Sequence, residues 1–169
     1  MSLNRSALTT VPLFEGLDGQ ELDILIGHID TLTYQPGDPL FSEGDPSGSL
    51  MIVGSGAVEI FIYDENHNPI VLNKITRGGF FGEVTLFDKT PRSTNARIAE
   101  PTELYVIHRD DMVDFLHKHP DAAIKIIAVL SKRLRDATIR ITGKQVNAYD
   151  VLHAKLGQAK PQSPLQADH

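Results

Sequence analysis

The stretch GGFFGEVTLFDKTPRSTNAR, residues 78–97, sets Glu83 among Gly, Phe, Val and Leu, and Arg92 follows nine positions later (92 − 83 = 9). A carboxylate in apolar company is costly unless something pairs with it. FFGEVTLFD has too few turn formers for a hairpin and is too short for a full helix, so one or two helical turns are expected. A turn starting near Gly82 leaves the backbone N–H groups of Glu83, Val84 and Thr85 without intrahelical partners, and such an end attracts phosphate. Gly82 permits close backbone approach. Arg92 supplies a planar, permanently charged fork suited to two phosphate oxygens. Glu83 would repel the same phosphate, so its partner is a donor, and a sugar hydroxyl is a candidate. Phe81, Val84 and Leu72 are then the apolar positions available to cover a base. The competing reading is a structural Glu83–Arg92 ion pair on a tight loop, and spacing alone does not choose between the two.

Outward from this loop, residues 33–107 alternate short β-rich runs with turn signals. LMIV (50–53), AVEIFIY (57–63), IVLNKI (70–75), NARIA (95–99) and ELYVI (103–107) read as strands, separated by PGD, EGD, GSG, DENHNP and EP. Short strands at regular spacing predict a double-sheet β architecture of jelly-roll type. Ahead of it, LDGQELDILIGHI (17–29) carries a capping box, Asp18 with Glu21, and an apolar face of Leu22, Leu25, Ile26 and Ile29. Behind it, RDDMVDFLHKH (109–119) opens with acids and ends in His and Lys, as the helix dipole favours.

Pro120 begins a longer helical run. Ile127, Leu130, Leu134, Ala137 and Ile141 recur at spacings of 3, 4, 3 and 4, an a/d seam. The seam fits packing on the β core, dimerisation, or each in a different part. Residues 143–169 form an expected C-terminal extension to a domain spanning 1–142. In it VNAYDVLHAKL suits one short helix, and the Pro-containing polar end suits a disordered tail.

Composition closes off several classes. The 169 residues include no Cys, which removes disulfides, thiolate catalysis and zinc-thiolate sites. A net charge of −6 argues against direct nucleic-acid binding. No apolar run approaches a membrane span, since AAIKIIAVL is cut by Lys125, and the N-terminus lacks signal-peptide order, so a cytoplasmic location is expected. Of the seven histidines, His117 and His119 are two apart and point to different helix faces, so no metal is expected. Ser47, Ser49 and Ser55 lie in turns without His and acid partners at motif spacing, and no catalytic set emerges.

The segment FGEVTLFDKTPRST resembles the phosphate-binding cassette of cyclic-nucleotide-binding domains, F-G-E followed by small and apolar residues and P-R-[AS]-[AT]. The resemblance runs from about Leu13 to Leu134 and takes in LFEGL, PGDPLFSEGD, GSGAVEIF and HP at the start of the last helix. It implies a mostly β fold with flanking helices: an eight-stranded β-roll with an N-terminal helix, a short phosphate-binding loop helix and a long C-terminal helix. It assigns the ribose 2′-hydroxyl to Glu83 and the cyclic phosphate to Arg92 and Ser93, with Gly82, Val84 and Thr85 contributing backbone. Thr94 stands where the family more often has Ala. By alignment with bacterial regulators, Thr138 falls where the long helix meets the base. Those regulators continue into a helix-turn-helix domain, whereas residues 143–169 hold only Lys144, Lys155 and Lys160 against Asp150 and Asp168.

The resemblance implies a free-standing regulatory binding domain and not an enzyme. Its ligand would be cAMP, with cGMP or a cyclic dinucleotide as alternatives. It would act by closure of the C-terminal helix, as a homodimer through that helix, on an effector protein that the sequence does not identify. The runner-up is a structural or protein-interaction β-roll whose pocket is vestigial or switched.

Overall fold

Two four-stranded sheets carry the chain in the computed structural model, which describes residues 3–142. The strands are β1 (Ile29–Tyr34), β2 (Pro39–Phe41), β3 (Ser49–Ser55), β4 (Ala57–Tyr63), β5 (Pro69–Thr76), β6 (Phe80–Phe81), β7 (Asn95–Ile98) and β8 (Thr102–His108). One sheet has the order β1-β8-β3-β6 and the other β2-β7-β4-β5, with antiparallel pairing between neighbours. This is the expected β-roll. Its helices are α1 (Arg5–Leu8), α2 (Gly19–Ile26), α3 (Glu83–Asp88), α4 (Arg109–Lys118) and α5 (Pro120–Thr142), with a 3₁₀ turn at Pro12–Phe14.

The roll interior is a cluster of Val53, Val58, Ile75, Phe81, Ala96, Ile98, Leu104 and Val106 from both sheets. Along β8, Leu104 and Val106 face that cluster, yet the alternate residues Tyr105 and Ile107 are also buried. Ala7, Thr10 and Val11 border Tyr105 on the outer face. A strand covered on both faces reads as a continuous apolar run, which is why ELYVI lacks alternation. Gly56 turns the chain from β3 into β4 at φ +81°, and a Cβ there would lie 2.3 Å from the Pro101 carbonyl oxygen.

Strands β3, β4, β5, β7 and β8 fall where the sequence places them, within a residue or two. β1 and β2 escape the reading: β1 is IDTLTY with four of six residues exposed, and β2 has only three residues. Helix α2 is shorter than the predicted run 17–29. Its capping box is present, with the Asp18 carboxylate accepting from the N–H groups of Gln20 and Glu21 and the Glu21 carboxylate accepting from Asp18 N–H at 2.7 Å. The helix stops at Gly27, so Ile29 opens β1 and is no part of a helical face.

Lys125, which breaks an apolar run in the sequence, fastens the start of α5. Its Nζ lies 2.9 Å from Glu21 Oε2, so one carboxylate both caps α2 and holds α5. Ala122 and Ile126 are the buried positions of this part of the helix. Ile127, a member of the predicted seam, is 56 % exposed and does not pack on the core.

The described residues fall into two units that divide between Val129 and Leu130. In the second, Leu134 is 70 % exposed. The extension 143–169 and the side chain of Ile141 lie outside the described residues. No helix among the described residues is long and apolar enough to cross a membrane.

Candidate anion-binding site

β6 delivers the chain to the loop. Phe81 pairs with Met51 across the sheet and is buried in the roll interior, so it is core and not a cover for a base. The other two positions considered for a cover, Val84 and Leu72, are 67 % and 53 % exposed. Gly82 follows at φ +90°, a left-handed conformation that glycine adopts without strain. A Cβ at this position would lie 2.6 Å from Ser49 O and 2.7 Å from Arg92 Nη1. Gly82 therefore makes room for Arg92 itself, a demand that precedes any ligand.

α3 then runs for six residues, matching the one or two turns expected. Thr85 and Leu86 face inward, Val84 outward, and Glu83 is half-buried. The carbonyl end is held from outside. Ser47 Oγ lies 2.7 Å from Thr85 O and 2.8 Å from Thr90 O, and Arg109 donates from Nη1 to Leu86 O at 2.9 Å and from Nη2 to Phe87 O at 3.2 Å. Asp88 accepts from the backbone N–H and the hydroxyl of Thr90, which holds its carboxyl below the usual carboxylate range.

Arg92 is only 5 % exposed. Its backbone is clipped to the β2–β3 loop, with Arg92 N donating to Asp45 O at 2.9 Å and Gly44 N donating to Arg92 O at 2.8 Å. Among the described residues its guanidinium makes three hydrogen bonds, all to neutral oxygens. Nη1 reaches Thr85 Oγ1 at 3.4 Å, and Nη2 reaches Ser49 O at 3.2 Å and Ser49 Oγ at 3.3 Å. Nε is buried and has no hydrogen-bond partner among the described residues. The guanidinium carbon lies 4.3 Å from the centre of the Phe41 ring. Burial pulls the guanidinium down from its ordinary value, while the negative charges of Asp45 and Glu83 oppose that fall. A cation is thus withdrawn from water onto neutral partners, with acids near but not among its hydrogen-bond acceptors. Such a group gains most from an incoming anion.

Gly82, Thr85 and Arg92 come together directly. Glu83 acts on Arg92 through its charge. Ser93 is exposed and Thr94 half-buried, both continuing from Arg92 towards β7. Thr138 belongs to the second unit, where its hydroxyl donates to Leu134 O at 2.9 Å. A cleft of about 500 Å3 also opens beside Arg92, walled by Leu40, Phe41, Met51, Ser47, Ser49 and His108 and not by α3. Among the described residues no group of three or more His, Asp or Glu is placed to hold a metal ion.

Sequence reasoning misses Phe41, Ser47, Ser49 and Arg109 as members of this site. Ser47 and Ser49 enter it only as nucleophile candidates, and lie 45 and 43 positions from Arg92 (92 − 47 = 45; 92 − 49 = 43). Arg109 carries a signal: a base at the first position of a helix opposes the dipole, which indicates a partner elsewhere.

The Cyclic nucleotide-binding domain family matches residues 31–119. Among curated proteins, the Cyclic AMP receptor protein of Thermus thermophilus is 33 % identical over 130 residues, covering 77 % of this chain and 60 % of that protein. The chain thus spans less than two thirds of that protein, and 57 % of a CRP-like cAMP-activated global transcriptional regulator of Mycobacterium tuberculosis. Among solved structures, the Thermus thermophilus Catabolite Activator Protein superposes with a TM-score of 0.69 at 33 % identity, over 77 % of this chain and 61 % of that one. The N-terminal domain of a transcriptional regulator from Streptomyces coelicolor gives 0.71 at 27 % identity, over 80 % of this chain and 94 % of that one.

Proposed function

The chain belongs to the cyclic nucleotide-binding domain family, and from that membership we propose that it is a cyclic-nucleotide sensor whose ligand is cAMP. The observation that carries the reading is Arg92, a guanidinium withdrawn from water onto neutral oxygens with Nε unpartnered among the described residues. A cyclic phosphate brings one negative charge and oxygens that match the guanidinium fork. Its preference for cAMP over cGMP is supported by the Thermus relative, which is named for cyclic AMP.

In this reading Arg92 and Ser93 hold the phosphate, with backbone from Gly82, Val84 and Thr85 and with Thr94 beside them. Glu83 accepts a hydrogen bond from the ribose 2′-hydroxyl. Val84 and Leu72 cover the base, and Thr138 reads it from the long helix. Binding draws α3 and Arg92 together and closes the C-terminal helix over the ligand. Such closure goes only as far as the ligand's preference for the closed form. The output is a changed surface offered to a second copy or an effector protein.

Titration calorimetry and thermal shift with cAMP, cGMP and cyclic di-GMP test this. A ligand of the native state raises Tm as its concentration rises. The expected result is heat of binding and a rise with cAMP at lower concentration than with the other two. A response to cGMP or the dinucleotide alone reassigns the ligand. No heat and no shift at millimolar concentration of any of them returns the chain to the structural-module reading.

A further inference from the structure

We infer that Arg109 is the positioning residue of α3, and that it ties the movement of α3 to α4. The clamp stands on its own geometry; its consequence for ligand binding rests on the cyclic-nucleotide reading above.

A helix leaves its last four carbonyls without intrahelical partners, here those of Thr85 to Asp88. Six residues are also too few for a helix to hold itself in water. The pose of α3 therefore depends on groups outside it. The Ser47 hydroxyl covers Thr85 O, and the two Nη atoms of Arg109 cover Leu86 O and Phe87 O. A planar fork reaches two neighbouring carbonyls at once, which an ammonium does not reproduce.

The position of Arg109 supports the same conclusion. It is the first residue of α4, where Asp110 and Asp111 suit the helix dipole and a cation opposes it. The same charge is favourable at the carbonyl end of α3. Its own N–H donates to Gly48 O at 2.8 Å, in the loop that carries Ser47 and leads into Ser49 at the start of β3. The Ser49 oxygens hold Arg92, so this loop joins the proposed phosphate contact, α3 and the start of α4. A shift of α3 must either carry Arg109 with it or break two hydrogen bonds.

Hydrogen exchange on wild type, Arg109→Gln and Arg109→Lys, each with and without cAMP, decides the matter. Without ligand, Arg109→Gln should exchange the amides of 84–90 about tenfold faster, the cost of hydrogen bonds to a charged donor. Protection in β3 and β8 should hold, and Arg109→Lys should fall between. Unchanged exchange at 84–90 overturns the clamp. If the Gln variant loses protection throughout, the Lys variant decides by the same criterion. With cAMP, wild type should gain protection in α4, and Arg109→Gln should lose that gain and bind about tenfold more weakly. Equal α4 protection in both overturns the link to α4. If wild type takes no cAMP, the ligand assignment fails, and the ligand-free comparison still decides the clamp.

Discussion

The guanidinium of Arg92 lies over the ring of Phe41, its carbon 4.3 Å from the ring centre, at one side of a residue whose hydrogen bonds all run to neutral oxygens. A cation over an aromatic face is attracted by about 0.5–2 kcal/mol, more as water is excluded. Phe41 thus supports the charge without neutralising it and leaves that to a ligand. Phe41→Leu keeps apolar bulk but removes the ring's negative face. It should weaken cAMP binding by about three- to tenfold, at about 1.4 kcal/mol per decade. Equal affinities by calorimetry would reduce Phe41 to a core residue.

Losing one member of a charged, partly desolvated pair costs roughly 2–5 kcal/mol. Arg92→Ala should accordingly lower cAMP affinity by about two to three decades. Arg92→Lys should recover part of that, because an ammonium cannot form the planar fork. Full recovery in Lys would mean that the site reads charge alone.

Glu83 should read the sugar. Glu83→Ala is expected to cost cAMP much more affinity than its 2′-deoxy analogue, since only cAMP offers the hydroxyl. Equal losses would instead assign Glu83 to the loop, as a partner of Arg92's charge, the structural reading that spacing left open.

Much of this site is legible in the sequence because cassette residues are close together and their chemistry is unusual. Gly82, Glu83 and Arg92 stand out as a left-handed former, an acid and a base within eleven positions (92 − 82 + 1 = 11). The residues that hold them are not legible. Ser47, Ser49 and Phe41 reach Arg92 and α3 only because β2, β3 and β7 fold together, and a serine in a turn has many ordinary uses. Phe81 misleads for a related reason: beside a glycine loop, an aromatic ring reads equally as a ligand cover or as core. Pairing with Met51 makes it core. β1 is lost because its exposed polar positions hide the alternation that marks a strand.

Tyr105 offers a pH-dependent test of the fold. Its hydroxyl donates to Glu103 Oε1 at 2.9 Å, and burial, then the carboxylate, push its pKa up to about 12. The unfolded chain loses this proton near pH 10, about two units earlier. The contribution to stability is therefore complete below pH 10 and disappears as pH rises through about 12. Wild type should lose stability more steeply than Tyr105→Phe across that window, measured by urea unfolding at a series of pH values. Parallel curves would mean that Tyr105 titrates alike in both states.

The last expectation concerns the long helix. Ile124, Ile127 and Leu134 are 67 %, 56 % and 70 % exposed, while Ala122 and Ile126 fill the buried side of its first part. Apolar side chains left at spacings of three and seven lie along one stripe of a helix. Single exposed apolar residues need no explanation, but a stripe of them marks a contact surface. A second copy of the same helix offers a matching stripe and a symmetric closed pair. The chain should sediment as a dimer, and Leu134→Glu should give monomers by setting two like charges against the seam. Ile124→Glu, ten residues (134 − 124 = 10) and nearly three turns away on the same stripe, should weaken the dimer less if the seam centres near Leu134. A wild-type monomer at high protein concentration would leave the stripe to another partner. A Leu134→Glu dimer would move the interface off this helix altogether.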